Sequence, residues 1–163
     1  MPTFDHGLDF RDLDDAVAYA RRCLNDGYEQ TGHWDLAQTC RHLSDWMKVP
    51  MDGAPQIPLL MSLTMAVVRR TITPRLLRRV LAERKLESGM GTIVATVHPP
   101  EADAAGAVDE FAATAARLAA HAGPWQWSPL FHTVDRERSV GLQLVHCMHH
   151  LGRLKPRSTG HPA

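Results

Sequence analysis

The chain has 163 residues, 44% of them hydrophobic, and its 18 lysines and arginines balance 18 aspartates and glutamates. That length and apolar content suit one domain with one sizeable core, and a formal charge of zero leaves no basic excess for nucleic-acid phosphates or an anionic membrane, so neither is expected as a partner. Its three cysteines, Cys23, Cys40 and Cys147, are odd in number, widely spaced and without a CxxC pair, and read as reduced thiols of a cytoplasmic protein.

The amino-terminal "MPTFDHGLDF" lacks the basic and apolar regions of a signal peptide. Leu13, Val17, Ala20 and Leu24 recur at helical spacing, acidic residues crowd the first turn, and Gly27 closes this first predicted helix. A short linker leads to a second helix in "HWDLAQTCRHLSDWMKV", where Leu36, Cys40, Leu43 and Met47 form an apolar stripe and Pro50 is expected to end the helix. Pro58 can open a third through "LLMSLTMAVVRR", in a stretch too short to span a bilayer. Thr73 and Pro74 supply an N-cap and first-turn pair for "RLLRRVLAERKL". The basic runs "RRTITPRLLRR" and "RLKPR" read as solvated faces or helix C-terminal charge.

The segment "ESGMGTIVATVHPP" breaks helical periodicity and reads as an extended connection across a bundle. Val108, Phe111, Ala115 and Leu118 mark the next helix, stopped by Gly123 and Pro124, and "PWQWSPLFHTV" is a loop whose aromatics cover one end of the core. Asp135 caps the last helix, which runs to about Arg153, and "KPRSTGHPA" reads as a disordered tail. The expected organisation is a single all-α domain over residues 1–154 with a tail at 155–163. It is a bundle of four or five amphipathic helices with one long crossover.

The last helix carries "LQLVHCMHHLGRL". At about a hundred degrees per residue, His146 and His150 share a face that continues through Ser139, between Leu142 and Gln143, and on to Arg153, beside an apolar flank of Leu144, Met148 and Leu151. Such a polar strip lines a cavity more naturally than it fills a core. His149 and Cys147 stand on its two shoulders. A pair of imidazoles four apart can bind a divalent ion, and a catalytic site needs a third protein ligand. His42, well inside the second helix and one turn before Trp46, is the best placed to supply it. The bland reading stands beside this one: helical histidines commonly serve as hydrogen-bonded core or surface residues. Cys40 and Cys147 read as small buried hydrophobes, Trp34, Trp46, Trp125 and Trp127 as core or lid aromatics, and Asp45 as a solvated residue or a partner to a ligating imidazole. Phosphate-loop, nucleophile-elbow and HExxH motifs are absent.

Two stretches carry a family resemblance. "GHWDLAQTCRHLSDWM" resembles the second helix of the DinB-like, or YfiT-like, superfamily of metal-dependent hydrolases, in which a Gly-x-Trp-x-Leu start precedes a histidine ligand. "SPLFHTVDRERSVGLQLVHCMHHLGRL" is similar to its closing segment, a Pro-x-Phe turn leading to His-x-x-His-His. In detail the chain looks closest to an uncharacterised branch, a domain of unknown function. The resemblance implies a DinB-like four-helix bundle holding a divalent ion, often zinc or nickel, on His42, His146 and His150. Characterised relatives include enzymes that use mycothiol, bacillithiol or glutathione. Related closing segments often read His-Pro-x-Phe-Gly, whereas this chain has Ser128 before Pro129 and His132 after Phe131.

The leading expectation is therefore a metal-dependent enzyme acting on a small-molecule substrate, by hydrolysis or by thiol-dependent transfer or isomerisation. Arg153 is a candidate for the cationic part of a thiol pocket. The rival is a non-enzymatic binding or interaction module with a structural ion or none. An exposed apolar stripe would allow a homodimer.

Overall fold

A computed structural model describes residues 7–54, 71–86, 96–100, 102–126 and 135–157. Aspartate caps open four helices: Asp12, Asp35, Asp103 and Asp135 each accept a hydrogen bond from a backbone N–H in the turn that follows. These begin α1 (Leu13–Asp26), α2 (Leu36–Asp52), α4 (Ala104–Ala120) and α5 (Arg136–Leu151). Between them lies α3 (Thr73–Glu83). It starts at Ile72 without a side-chain cap bond, so Thr73, expected as the N-cap, is instead a buried first-turn residue beside Pro74.

The second helix also departs from expectation, because it runs through Pro50 to Asp52. So near the end of a helix a proline forfeits one ladder bond, and the terminal carbonyls find other donors. Pro50 O accepts from Gln126 N at 2.8 Å, and Val49 O accepts from Gly53 N at 2.9 Å. Gly53 has φ 93°, a conformation that suits glycine.

Two short strands complete the described fold. Tyr28–Gln30 (β1) pairs antiparallel with Leu154–Pro156 (β2), with Tyr28 opposite Pro156 and Gln30 opposite Leu154. Lys155 and Pro156, read from the sequence as the start of a disordered tail, thus belong to the folded unit. Their order comes from backbone pairing and from the fully buried Leu154, whose carbonyl accepts the Tyr19 hydroxyl at 2.7 Å. Arg157 N extends the pairing to Gly27 O at 2.9 Å. Three-residue strands are too short to show an alternating pattern.

The architecture is all-α apart from this pair. The core joins Leu13, Val17 and Cys23 of α1, the expected α2 stripe of Leu36, Cys40, Leu43 and Met47, Phe111 and Leu118 of α4, and Met148 and Leu151 of α5. Full burial of such a leucine or phenylalanine contributes about 1.5–3 kcal/mol. Helix α2 packs on α1, α4 and α5. Among the described residues no helix is long and apolar enough to cross a membrane. The helix expected after Pro58, most of the 87–100 connection, the aromatic loop from Trp127 and residues 158–163 lie outside the described residues.

Candidate metal centre

The start of α2 is set by a reciprocal capping box between Asp35 and Gln38, and its rotation by the apolar stripe on its core side. Two turns in, His42 is 1% exposed. Its Nδ1 lies 2.9 Å from the Thr96 carbonyl oxygen. A carbonyl can only accept, so Nδ1 carries the proton and Nε2 presents a lone pair. The segment bearing Thr96 is strapped to the same helix: Gln38 Nε2 donates to His98 O at 2.7 Å, and His98 Nε2 meets Asp45 Oδ2 at 2.8 Å.

Across the seam, α5 presents His146 and His150 one turn apart, both half-buried. Ligand atoms of the three histidines all lie within 4.8 Å of one another. The Nε2 atoms of His42 and His146 are 3.2 Å apart. Ring centroids are 5.0 Å apart for His42 and His146, and 4.7 Å apart for each histidine with His150. A tetrahedral ion with bonds of about 2.0–2.1 Å separates its nitrogen ligands by about 3.3 Å, so the donor set fits a divalent metal with small side-chain adjustments.

Burial holds all three imidazoles below the ordinary histidine value. For His42 the Thr96 carbonyl opposes that fall. For His146 the neighbouring His42 and His149 deepen it, and for His150 so do His146, His42, His149 and Arg153. Neutral rings with available lone pairs are what metal ligation requires.

Two tryptophans wall the group. Trp34, just before α2, stacks on His150 with centroids 5.1 Å apart and planes at 7°, and meets His42 edge-on at 4.7 Å. Trp46, read from the sequence as a core or lid aromatic, stands edge-on to His146 at 5.8 Å. The sequence left Trp34 only as a core or lid aromatic. Its position inside the quoted Gly-x-Trp-x-Leu start was the available signal.

Other candidates fall outside the group. Asp45, considered as partner to a ligating imidazole, binds His98 and Lys48 instead, because His42 Nδ1 is already taken by Thr96. His98, given no role from the sequence, therefore helps hold the strap. Cys40 and Cys147 are fully buried, and burial pushes their thiols far up, as expected for packing residues. His149 is half-buried on its shoulder, 5.0 Å from the His150 ring, with Nε2 3.5 Å from Arg153 Nη2. Arg153 is seated by Thr31, whose N and Oγ1 donate to its carbonyl at 2.8 and 3.0 Å. Its stem lies over Gly32, where an added Cβ would come within 3.0 Å of Arg153 Cδ.

No curated protein and no solved structure matches the chain. One family model does, over residues 4–157, and its description is "Protein of unknown function (DUF1569)". With nearly the whole chain matched, including all three clustered histidines, the protein belongs to the DUF1569 family.

Proposed function

We propose that the chain is a metal-dependent enzyme of the DinB-like type, with His42, His146 and His150 holding one divalent ion, zinc or nickel. The observation that carries this reading is the convergence of three neutral imidazoles, one with its tautomer pinned by the Thr96 carbonyl. An ion on three neutral ligands keeps its full positive charge, which acidifies water or a thiol and polarises a substrate oxygen. The protein's part is to prepare the ligands. Thr96 keeps the His42 proton on Nδ1, and His146 must carry its own proton on Nδ1 for its Nε2 to ligate. Trp34 and Trp46 exclude water from two sides.

A structural ion would need a closed set of four ligands. Among the described residues no carboxylate or thiol joins the three histidines, which favours an open position for chemistry. Hydrolysis of a small molecule, or transfer or isomerisation with a low-molecular-weight thiol, are the reactions such a site serves.

Elemental analysis of tag-free, chelator-free protein tests the reading, with stoichiometric zinc or nickel expected. It fails if neither is found and added zinc or nickel does not raise thermal stability. Titrating cobalt-substituted protein with glutathione separates the branches, since thiolate ligation gives an intense near-ultraviolet charge-transfer band and a hydrolase leaves the spectrum unchanged.

A further inference from the structure

Beside the histidines runs a row of buried polar groups that find no hydrogen-bond partner among the described residues. Trp46, Gln143 and Ser139 are 7%, 5% and 2% exposed, and Trp46 Nε1, Gln143 Oε1 and Ser139 Oγ have no hydrogen-bond partner. Orphaned buried groups are few in native proteins, and each asks for an explanation. Ser139 and Gln143 share a helix face with His146, the residue that Trp46 meets edge-on. Ser139, Gln143, His146 and His150 follow one another on a single face of α5 at intervals of four, three and four. Trp34 meets His150 whereas Trp46 meets His146, so α2 and α5 run antiparallel along this seam. Continuing along α2 past Trp46 therefore corresponds to moving along α5 from His146 towards Gln143 and Ser139. At about 1.5 Å per residue, Gln143 lies about 4.5 Å along the helix axis from His146, and Ser139 about 10 Å.

We propose that this row is the recognition strip for the ligand of the metal centre. That ligand is a compact molecule with a metal-binding end joined, about one helical turn away, to an uncharged carboxamide-like group. The proposal rests on the metal-centre reading above. The indole N–H only donates, Gln143 Oε1 accepts, and the Ser139 hydroxyl does either. A carboxamide is their complement, with its oxygen on Trp46 Nε1 and its N–H groups on Gln143 and Ser139. From Ser139 to His150 the row itself is neutral, while the charged side chains of α2, Arg41, Asp45, Lys48 and Asp52, are tied to Glu110, His98 and Arg117. The cation of this face, Arg153, follows His150 at the end away from Gln143 and Ser139, so an ionised group would enter the Gln143 and Ser139 part of the strip without a counter-charge.

The test is calorimetric binding to the zinc-loaded, tag-free chain. Acetohydroxamic acid probes the metal end alone. A matched pair probes the strip: 4-amino-N-hydroxy-4-oxobutanamide, which places a carboxamide two methylenes from the hydroxamate, and 4-methylpentanohydroxamic acid, its isopropyl isostere. A site with buried hydrogen-bonding groups rejects the apolar isostere, so the carboxamide is expected to bind at least about tenfold tighter. Gln143→Leu, Ser139→Ala and Trp46→Phe should each shrink that ratio towards one. If Gln143→Leu melts early, the other two variants carry the comparison. Equal affinities for the pair, with acetohydroxamic acid still bound, overturn this proposal alone and leave the strip to ordered water. Failure to take up zinc or to bind acetohydroxamic acid overturns the metal reading, and this one with it.

Discussion

Helix α2 carries polar side chains on two faces, and the fold treats them in opposite ways. Towards α4 and the 96–100 segment, the charges close on one another: Arg41 and Lys48 on Glu110, Asp45 on Lys48 and His98. Towards α5, His42 and Trp46 face His146, and the same seam holds His150, Gln143 and Ser139, all of them neutral and several with hydrogen-bonding capacity that nothing fills. The first face ties helices together. The second is where a ligand has to bring the complement. His42 belongs to both, since its Nδ1 is held by the strap and its Nε2 is offered to the centre.

Breaking the neutral face should give the largest effect. His146→Ala leaves two imidazoles, and zinc affinity is expected to fall by at least about a hundredfold in competition with a chromophoric chelator. An unchanged affinity would remove His146 from the ligand set.

Acid separates the two faces next. The three histidines are held low, so below about pH 6.5 the unfolded chain binds more protons than the folded one, and stability falls as pH drops, by up to about 1.4 kcal/mol per pH unit for each imidazole. Glu110 is also held low, chiefly by Lys48, but its contribution is complete above the ordinary carboxylate range and is lost only as pH falls through its lowered value. Metal-free melts between pH 8 and 2 should therefore show the histidine loss first. His146→Ala should flatten that part of the curve and leave the lower part in place.

The strap links the faces and should respond more modestly. Gln38→Leu removes both the bond to His98 O and half of the α2 capping box, for an expected loss of about 1–2 kcal/mol in urea unfolding. Because Thr96 orients His42, zinc affinity should also fall by about tenfold. Smallest is Glu110→Gln. Its partners are part-exposed, so the cost is about 1 kcal/mol or less, with zinc affinity unchanged. A shift in zinc affinity there would mean that the two faces are coupled.

Much of this contrast was legible in residue spacing. The α2 stripe, the shared face of His146 and His150, and its continuation to Ser139, between Leu142 and Gln143, all follow from helical periodicity. The Asp135 cap and the stop at Gly27 follow from local backbone needs, whereas the caps Asp12, Asp35 and Asp103 came from the structure. Where the reading slipped, a nonlocal partner had intervened. Helix α2 runs past Pro50 to Asp52, where Gln126 N satisfies the Pro50 carbonyl in the last turn, and Lys155 and Pro156 are ordered because β1 lies beside them. Asp45 turned to His98, a residue whose loop position gave it no role.

The sequence by itself determined where the five described helices run, to within a few residues at their ends, which of their faces are apolar and which three histidines could converge, because hydrophobic and polar residues repeat every few positions along the chain. Only the tertiary structure decided that a backbone carbonyl at Thr96 sets the His42 tautomer and that Trp34 lies flat on His150. It alone decided, too, that Trp46, Gln143 and Ser139 are buried with side-chain atoms that find no partner among the described residues. A carbonyl is the same at every position, and an unmet hydrogen bond is defined by everything around it, so neither leaves a mark in the order of the residues.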